Sequence, residues 1–182
     1  MKKILAFAGS NSSKSINTTL LKHAASLVEQ HEVSVIDLRA FDTPIYSMDL
    51  EEDRGVPEPT KRLRALFDEH DAFMIASPEH NGMMPAFFKN TMDWLSRLEG
   101  KLFQGKPVLL MSASPGPRGG RTNLANMKSV FPHWGAAAVF ADFHVGNFHQ
   151  TFDVQKQAFA SDEDARRLQN EIAAYEQFLL EN

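Results

Sequence analysis

The sequence predicts an α/β fold, a three-layer sandwich in which a five-stranded parallel sheet of order 2-1-3-4-5 carries helices on both faces. Three observations predict it. Five short apolar runs alternate with segments of helical periodicity along the chain, which is the pattern of right-handed βαβ crossovers. The runs are continuously apolar, as strands buried on both faces are. Three of the connections that follow a run are dense in Gly, Pro, Ser and Asn. They follow strands one, three and four, which this order makes neighbours at the carboxyl edge, where such sheets bind ligands.

Lys3 to Ala8 reads as the first strand, and Leu20, Leu21, Ala24, Ala25, Leu27 and Val28 then recur at helical spacing in a helix beginning near Asn17. Glu32 to Leu38 is the second strand. A long polar connection follows it, with Pro44, Tyr46, Asp49, the acidic run Glu51-Glu52-Asp53, and Gly55; a loop of that length is usually functional or mobile. Pro57 opens a helix to Glu69 with Leu63, Leu66 and Phe67 inward. Ala72 to Ala76 is the third strand, and Pro85 opens a helix to Leu98, with Phe88, Met92, Leu95 and Trp94 suited to the core. Pro107 to Ala113 is the fourth strand, followed by a helix from Thr122 to Val130. Ala136 to Ala141 is the fifth, and Ser161 caps a last helix to Leu180.

Composition narrows the function classes. The 182 residues, 43% hydrophobic and 23% charged, suit one domain spanning 1-182. A net charge of -4 gives no general attraction to phosphate polymers, so nucleic acid is not an expected partner. Cysteine is absent, which removes disulfides, thiolate zinc sites, iron–sulfur ligation and Cys nucleophiles. Redox chemistry would require a bound cofactor. The apolar run after Met1-Lys2-Lys3 is too short for a signal-peptide core, and no run approaches the roughly 20 residues of a membrane span. The expected compartment is the cytoplasm. The histidines show no H-x-x-x-H or H-E-x-x-H pattern, so no metal site is expected.

Loop one, Gly9 to Asn17, sets hydroxyl and amide side chains and Lys14 between a strand end and a helix start. Backbone N–H groups and the positive end of the helix dipole converge at such a junction. It matches neither a Walker loop nor G-x-G-x-x-G, which leaves a compact monophosphate site or a serine-rich helix cap. Loop two, Pro78-Glu79-His80-Asn81-Gly82, is rigid at Pro78 and permissive at Gly82. That suits backbone lying against a flat heterocycle. A Glu79–His80 acid/base pair is disfavoured, since adjacent side chains in an extended loop point apart. Loop three ends in Gly119-Gly120, with Arg118 and Arg121 either solvated or facing the phosphate of an incoming nucleotide.

At these loops the sequence resembles the NAD(P)H-dependent FMN reductase family of flavodoxin-like proteins, which includes quinone, chromate and azo-dye reductases. The motifs are Gly9-Ser10-x-x-x-x-Ser15-x-Asn17; Pro78 to Gly82 with Pro85 and Lys89-Asn90-x-x-Asp93-Trp94-x-Ser96-Arg97; and Ser112 through Gly119-Gly120. A looser echo is Asp37-Leu38 with Pro44, Tyr46 and Asp49. The resemblance implies that Ser10, Ser15, Ile16 and Asn17 hold the FMN phosphate. It implies that Pro78, Glu79, His80, Asn81 and Gly82 line the isoalloxazine and ribityl, and that Ser112, Gly116 and Gly119 close the other side. It implies no catalytic side chain, NADPH or NADH as co-substrate, a small planar electron acceptor, and a ping-pong transfer of hydride through the flavin. It further implies a homodimer or dimer of dimers through the 85–98 helix, in which Lys89 and Asp93 make structural ion pairs. The chain departs from the family at Ser12, where Arg is common, and at His80, where Tyr is common. Lys14 can replace the Arg only as a point charge, and His80 puts a smaller, titratable ring near the substrate face. The rival reading is a flavodoxin-type electron carrier or flavin-binding sensor without nucleotide oxidation.

Overall fold

The computed structural model describes residues 1–182. β1 (Lys3–Ala8), β2 (Glu32–Val35), β3 (Ala72–Ala76), β4 (Val108–Ala113) and β5 (Val139–Val145) form one parallel sheet in the order β2-β1-β3-β4-β5, the flavodoxin-like order that the alternation predicts. Side chains alternate between its faces. Ile4, Ala6, Met74 and Met111 point to one face, covered by α1 (Ile16–Ser26) and the C-terminal helix α7 (Asp162–Glu181). Leu5, Phe7, Phe73, Ile75 and Leu110 point to the other, covered by α3 (Glu58–Glu69), α4 (Ala86–Leu95) and α5 (Arg121–Val130). The buried Tyr175 of α7 donates its hydroxyl to Phe73 O, 2.8 Å away. Burial pushes that phenol far above its ordinary range.

Several boundaries differ from expectation, each for a physical reason. β2 stops at Val35, short of Leu38: Ile36 N–H still reaches Ala6 O, but Asp37 then caps a 3-10 turn over Leu38–Phe41 by accepting Arg39 N–H. β5 runs from Val139 to Val145, later than Ala136 to Ala141. It is an edge strand that alternates buried Ala141, Phe143 and Val145 with polar Asp142 and His144, so a continuous apolar run is the wrong template for it. The polar connection contains a short helix, α2 (Met48–Arg54), capped by Ser47. After β5 come α6 (Phe148–Thr151) and an antiparallel pair of two-residue strands, β6 (Phe152–Asp153) and β7 (Ala158–Phe159). Both Phe rings of that pair rest edge-on against His23 of α1.

Candidate functional site

Loops one, two and three meet at the carboxyl edge of β1, β3 and β4, tied by hydrogen bonds that no helix or strand requires. Gly9 N–H donates to Ala76 O at 2.9 Å, holding loop one to the start of loop two. A Cβ on Gly9 would stand 2.8 Å from the Phe88 ring, so glycine lets α4 approach. Ser77 N–H donates to Met111 O at 3.0 Å, and Ser112 Oγ–H to Ser77 O at 2.7 Å, which binds loop two to β4.

Within loop one the hydroxyls fold the chain on itself. Ser10 Oγ accepts from Ser12 N–H, Ser12 Oγ from Lys14 N–H, and Ser15 Oγ, the cap of α1, from Thr18 N–H. The N–H groups of Ser13, Ser15, Ile16 and Asn17 find no acceptor in the chain. A helix start with several orphan N–H groups is a ready anion seat. The Asn17 side chain is spent elsewhere: fully buried, its Nδ2–H donates to Ala113 O and its Oδ1 accepts Ala113 N–H, both at 2.9 Å. Only its backbone remains for a phosphate.

In loop two, Asn81 and Gly82 have φ of 53° and 81°, and His80 and Met83 exchange both backbone bonds around them, at 2.9 and 3.1 Å. This is a two-residue turn of the I′ kind, for which Asn-Gly is the favoured sequence. The N–H groups of Glu79, Asn81 and Gly82 are left without acceptors in the chain. α5 braces the loop from beneath. Glu79 accepts Asn123 N–H at 2.9 Å, a cap delivered from another loop to a helix whose own cap residue is Gly120. Asn123 Nδ2–H reaches Ser77 Oγ and Pro78 O, and Asn126 Nδ2–H reaches Gly82 O.

Loop three is held internally by Ser114, which donates to Gly116 O and accepts Gly119 N–H. Asn147 N–H, at the start of α6, also donates to Gly116 O. Gly119 lies over His144, whose Cδ2 would be 2.8 Å from a Cβ. Burial, then Arg167 and Arg121, lowers the His144 pKa below the ordinary imidazole value. Gly120 has φ +76°, and a Cβ there would overlap Ser112 Oγ. Arg118 and Arg121 are exposed and enter no ion pair.

Of the residues expected at the site, Ser10, Ser15 and Ile16 lie in the loop and helix start after β1, and Pro78 to Gly82 in the loop after the adjacent strand β3; Ser10 lines a cavity with Ser12, Ser13, Thr18 and Lys22. Ser112 is fully buried and supports loop two from below instead of facing a ligand. Gly116 sits at the exposed tip of loop three. Lys89 and Asp93 pair along α4, as expected of structural ions. The sequence reading missed Ser77, Asn123 and Asn126; the spacing of the two asparagines, three residues apart on one helix face, was the available signal.

A doubly wound parallel sheet of order β2-β1-β3-β4-β5, with three loops gathered at its carboxyl edge, defines a flavodoxin-like protein. A family model described as NADPH-dependent FMN reductase matches residues 2–150. A Pseudomonas aeruginosa protein named NAD(P)H-dependent FMN reductase is 29% identical over 175 residues, covering 91% of this chain and 88% of that one. An Escherichia coli quinone reductase is 38% identical over 79 residues, 43% of this chain and 42% of that protein. Among solved structures, the flavoenzyme NAD(P)H:(acceptor) oxidoreductase of Paracoccus denitrificans superposes with a TM-score of 0.80 at 27% identity, covering 96% of this chain and 95% of that one. The chain belongs to the NADPH-dependent FMN reductase family, oxidoreductases that use FMN and NAD(P)H.

Proposed function

We propose that the three loops hold one FMN and that the chain passes hydride from NAD(P)H through it to a small planar acceptor, a quinone, flavin or azo compound, in a ping-pong cycle. The observation that carries this reading is the set of orphan N–H groups at Ser13, Ser15, Ile16 and Asn17, directly beside a loop tied into an Asn81-Gly82 turn. Bound FMN supplies the two-electron chemistry. The protein contributes position and electrostatics. The four N–H groups and the α1 dipole receive the phosphate, and Lys14 adds a point charge. Pro78, Glu79, His80, Asn81 and Gly82 present backbone to the ring, with Ser10 and Gly119 at its flanks. The free N–H groups of Glu79, Asn81 and Gly82 meet negative charge as it develops there. Nothing in this scheme requires a side-chain acid.

We further propose a homodimer through α4 and its extension to Leu98, acting in the cytoplasm; no helix is long and apolar enough to cross a membrane. A flavodoxin-type electron carrier would display acidic surface around the flavin, and here Glu51 of the acidic run is engaged by Arg97 and by Tyr46 OH. The test is anaerobic. NADPH or NADH added to the FMN-loaded protein bleaches the yellow colour, and benzoquinone added afterwards restores it. A flavin that neither nucleotide bleaches refutes the reading.

A further inference from the structure

The backbone of loop two is sorted by polarity. The carbonyls of Ser77, Pro78, His80, Gly82 and Met83 all accept hydrogen bonds, whereas the N–H groups of Glu79, Asn81 and Gly82 donate none. His80 and Met83 satisfy each other across the turn. The other three carbonyls are met from beneath by side chains: Ser112 Oγ–H reaches Ser77 O at 2.7 Å, Asn123 Nδ2–H reaches Pro78 O at 2.9 Å, and Asn126 Nδ2–H reaches Gly82 O at 2.9 Å. The Pro78–Glu79 peptide shows the effect most plainly. Its C=O and N–H point in opposite directions, as in any trans peptide, so a carbonyl tied down to α5 turns the free Glu79 N–H away from α5.

Asn123 grips that peptide twice. Its side chain holds the Pro78 carbonyl, and its own N–H is fixed by the Glu79 carboxylate at 2.9 Å. Asn123 is fully buried, and the second proton of Nδ2 goes to Ser77 Oγ at 3.1 Å. Its Oδ1 is buried and meets no donor, an arrangement that costs stability. Turned over, the amide would set Oδ1 against Pro78 O, acceptor against acceptor. The orientation is therefore the one that delivers donors to loop two, at the expense of the amide's own oxygen. Asn126, half-buried and three residues along the same helix face, delivers the same kind of donor to Gly82.

We propose that Asn123 and Asn126 are positioning residues that raise the midpoint potential of the flavin. A hydride is two electrons and one proton, so its transfer from NAD(P)H leaves the nicotinamide one charge more positive and the acceptor one charge more negative. Free N–H groups stabilise that added negative charge, and carbonyl oxygens oppose it. By holding the Pro78 and Gly82 carbonyls on α5, the two asparagines keep two acceptors away from the side on which the free N–H groups lie. The inference rests on the reductase reading for the placement of the flavin, but its measurement requires no nucleotide.

The experiment is anaerobic reduction of the FMN-loaded protein against a reference dye, which gives the two-electron midpoint potential. A residue that merely stabilises the loop would weaken both oxidation states of FMN alike and leave the potential unmoved. The proposal expects Asn123→Ala and Asn126→Ala each to weaken reduced FMN relative to oxidised FMN by roughly tenfold, the worth of one hydrogen bond to a charged group, which lowers the potential by about 30 mV. Asn126 is only half-buried, so its variant decides the matter if Asn123→Ala does not fold. Ser129→Ala, exposed on the same helix, leaves the potential where it is. An unchanged potential in Asn126→Ala, or the same fall in Ser129→Ala, overturns the proposal. If the asparagine variants shift the potential while no nucleotide bleaches the flavin, the reductase reading falls and the positioning role stands. If NADPH or NADH bleaches the flavin and the potentials coincide, the positioning role falls and the reductase reading stands.

Discussion

Asn17→Ala isolates the tie between the phosphate loop and the sheet. Along β4, Met111 bonds toward β3 through Ser77 N–H, and Ser114 bonds toward β5 through Val145 O. In the alternation of a parallel ladder, Ala113 therefore faces the β3 side, where β3 has already ended at Ala76. The Asn17 amide takes the place of the missing strand peptide, pairing both the N–H and the C=O of Ala113. Ala113 is 2% exposed and Asn17 is 1% exposed, so water is not there to substitute. Truncation leaves two buried backbone groups unpaired, at about 1–3 kcal/mol each. The sum is about 2–6 kcal/mol, or roughly 4–24 °C in Tm for a chain of this size. Urea and thermal unfolding of the apoprotein measure it. A loss under about 1 kcal/mol would refute the role, because it would mean that Ala113 is satisfied without Asn17.

Three further outcomes are expected. Glu79→Ala removes the cap of α5 and costs about 1 kcal/mol, while Glu79→Gln, which keeps an acceptor oxygen, costs less; equal losses in urea unfolding would contradict the capping role. His23 and His144 both have pKa values lowered by burial. The unfolded chain thus binds more protons than the folded one below the ordinary imidazole value, and stability falls as pH drops from about 7 toward 5. A His23→Gln/His144→Gln double variant should flatten the urea midpoint over that window, and an unchanged slope would count against it. Ser12→Arg adds a bidentate phosphate partner beside the orphan N–H groups and should tighten FMN binding in a fluorescence titration; unchanged or weaker affinity would count against phosphate placement at loop one.

The sheet was legible where burial is two-sided. Ile4 to Ala8, Ala72 to Ala76 and Val108 to Ala113 are apolar without interruption because helices cover both faces. β5 was misplaced because an edge strand tolerates Asp142 and His144, and α2 was hidden because Met48–Arg54 buries no side chain. The loops announced themselves through Gly, Pro, Ser and Asn, but their wiring did not. Asn17 meets Ala113 across 96 residues, and Glu79 meets Asn123 across 44. Composition reports which groups a loop has, and only the fold decides which of them are spent on holding it. The Asn17 amide, expected at the phosphate, and the hydroxyl of Ser112, expected to help close the flavin site, prove to be spent in this way.

If loop one seats the FMN phosphate and thereby fixes the flavin across loops two and three, removing the phosphate from the ligand must cost most of the affinity. Parallel titrations of the apoprotein with FMN and with riboflavin, read by flavin fluorescence, test it most directly. The expected result is one FMN per chain and affinity for riboflavin lower by about 100-fold or more, since several charge-assisted N–H bonds at about 1.5–3 kcal/mol each act only on the phosphate. Equal affinity for the two, or no binding of either, would contradict it.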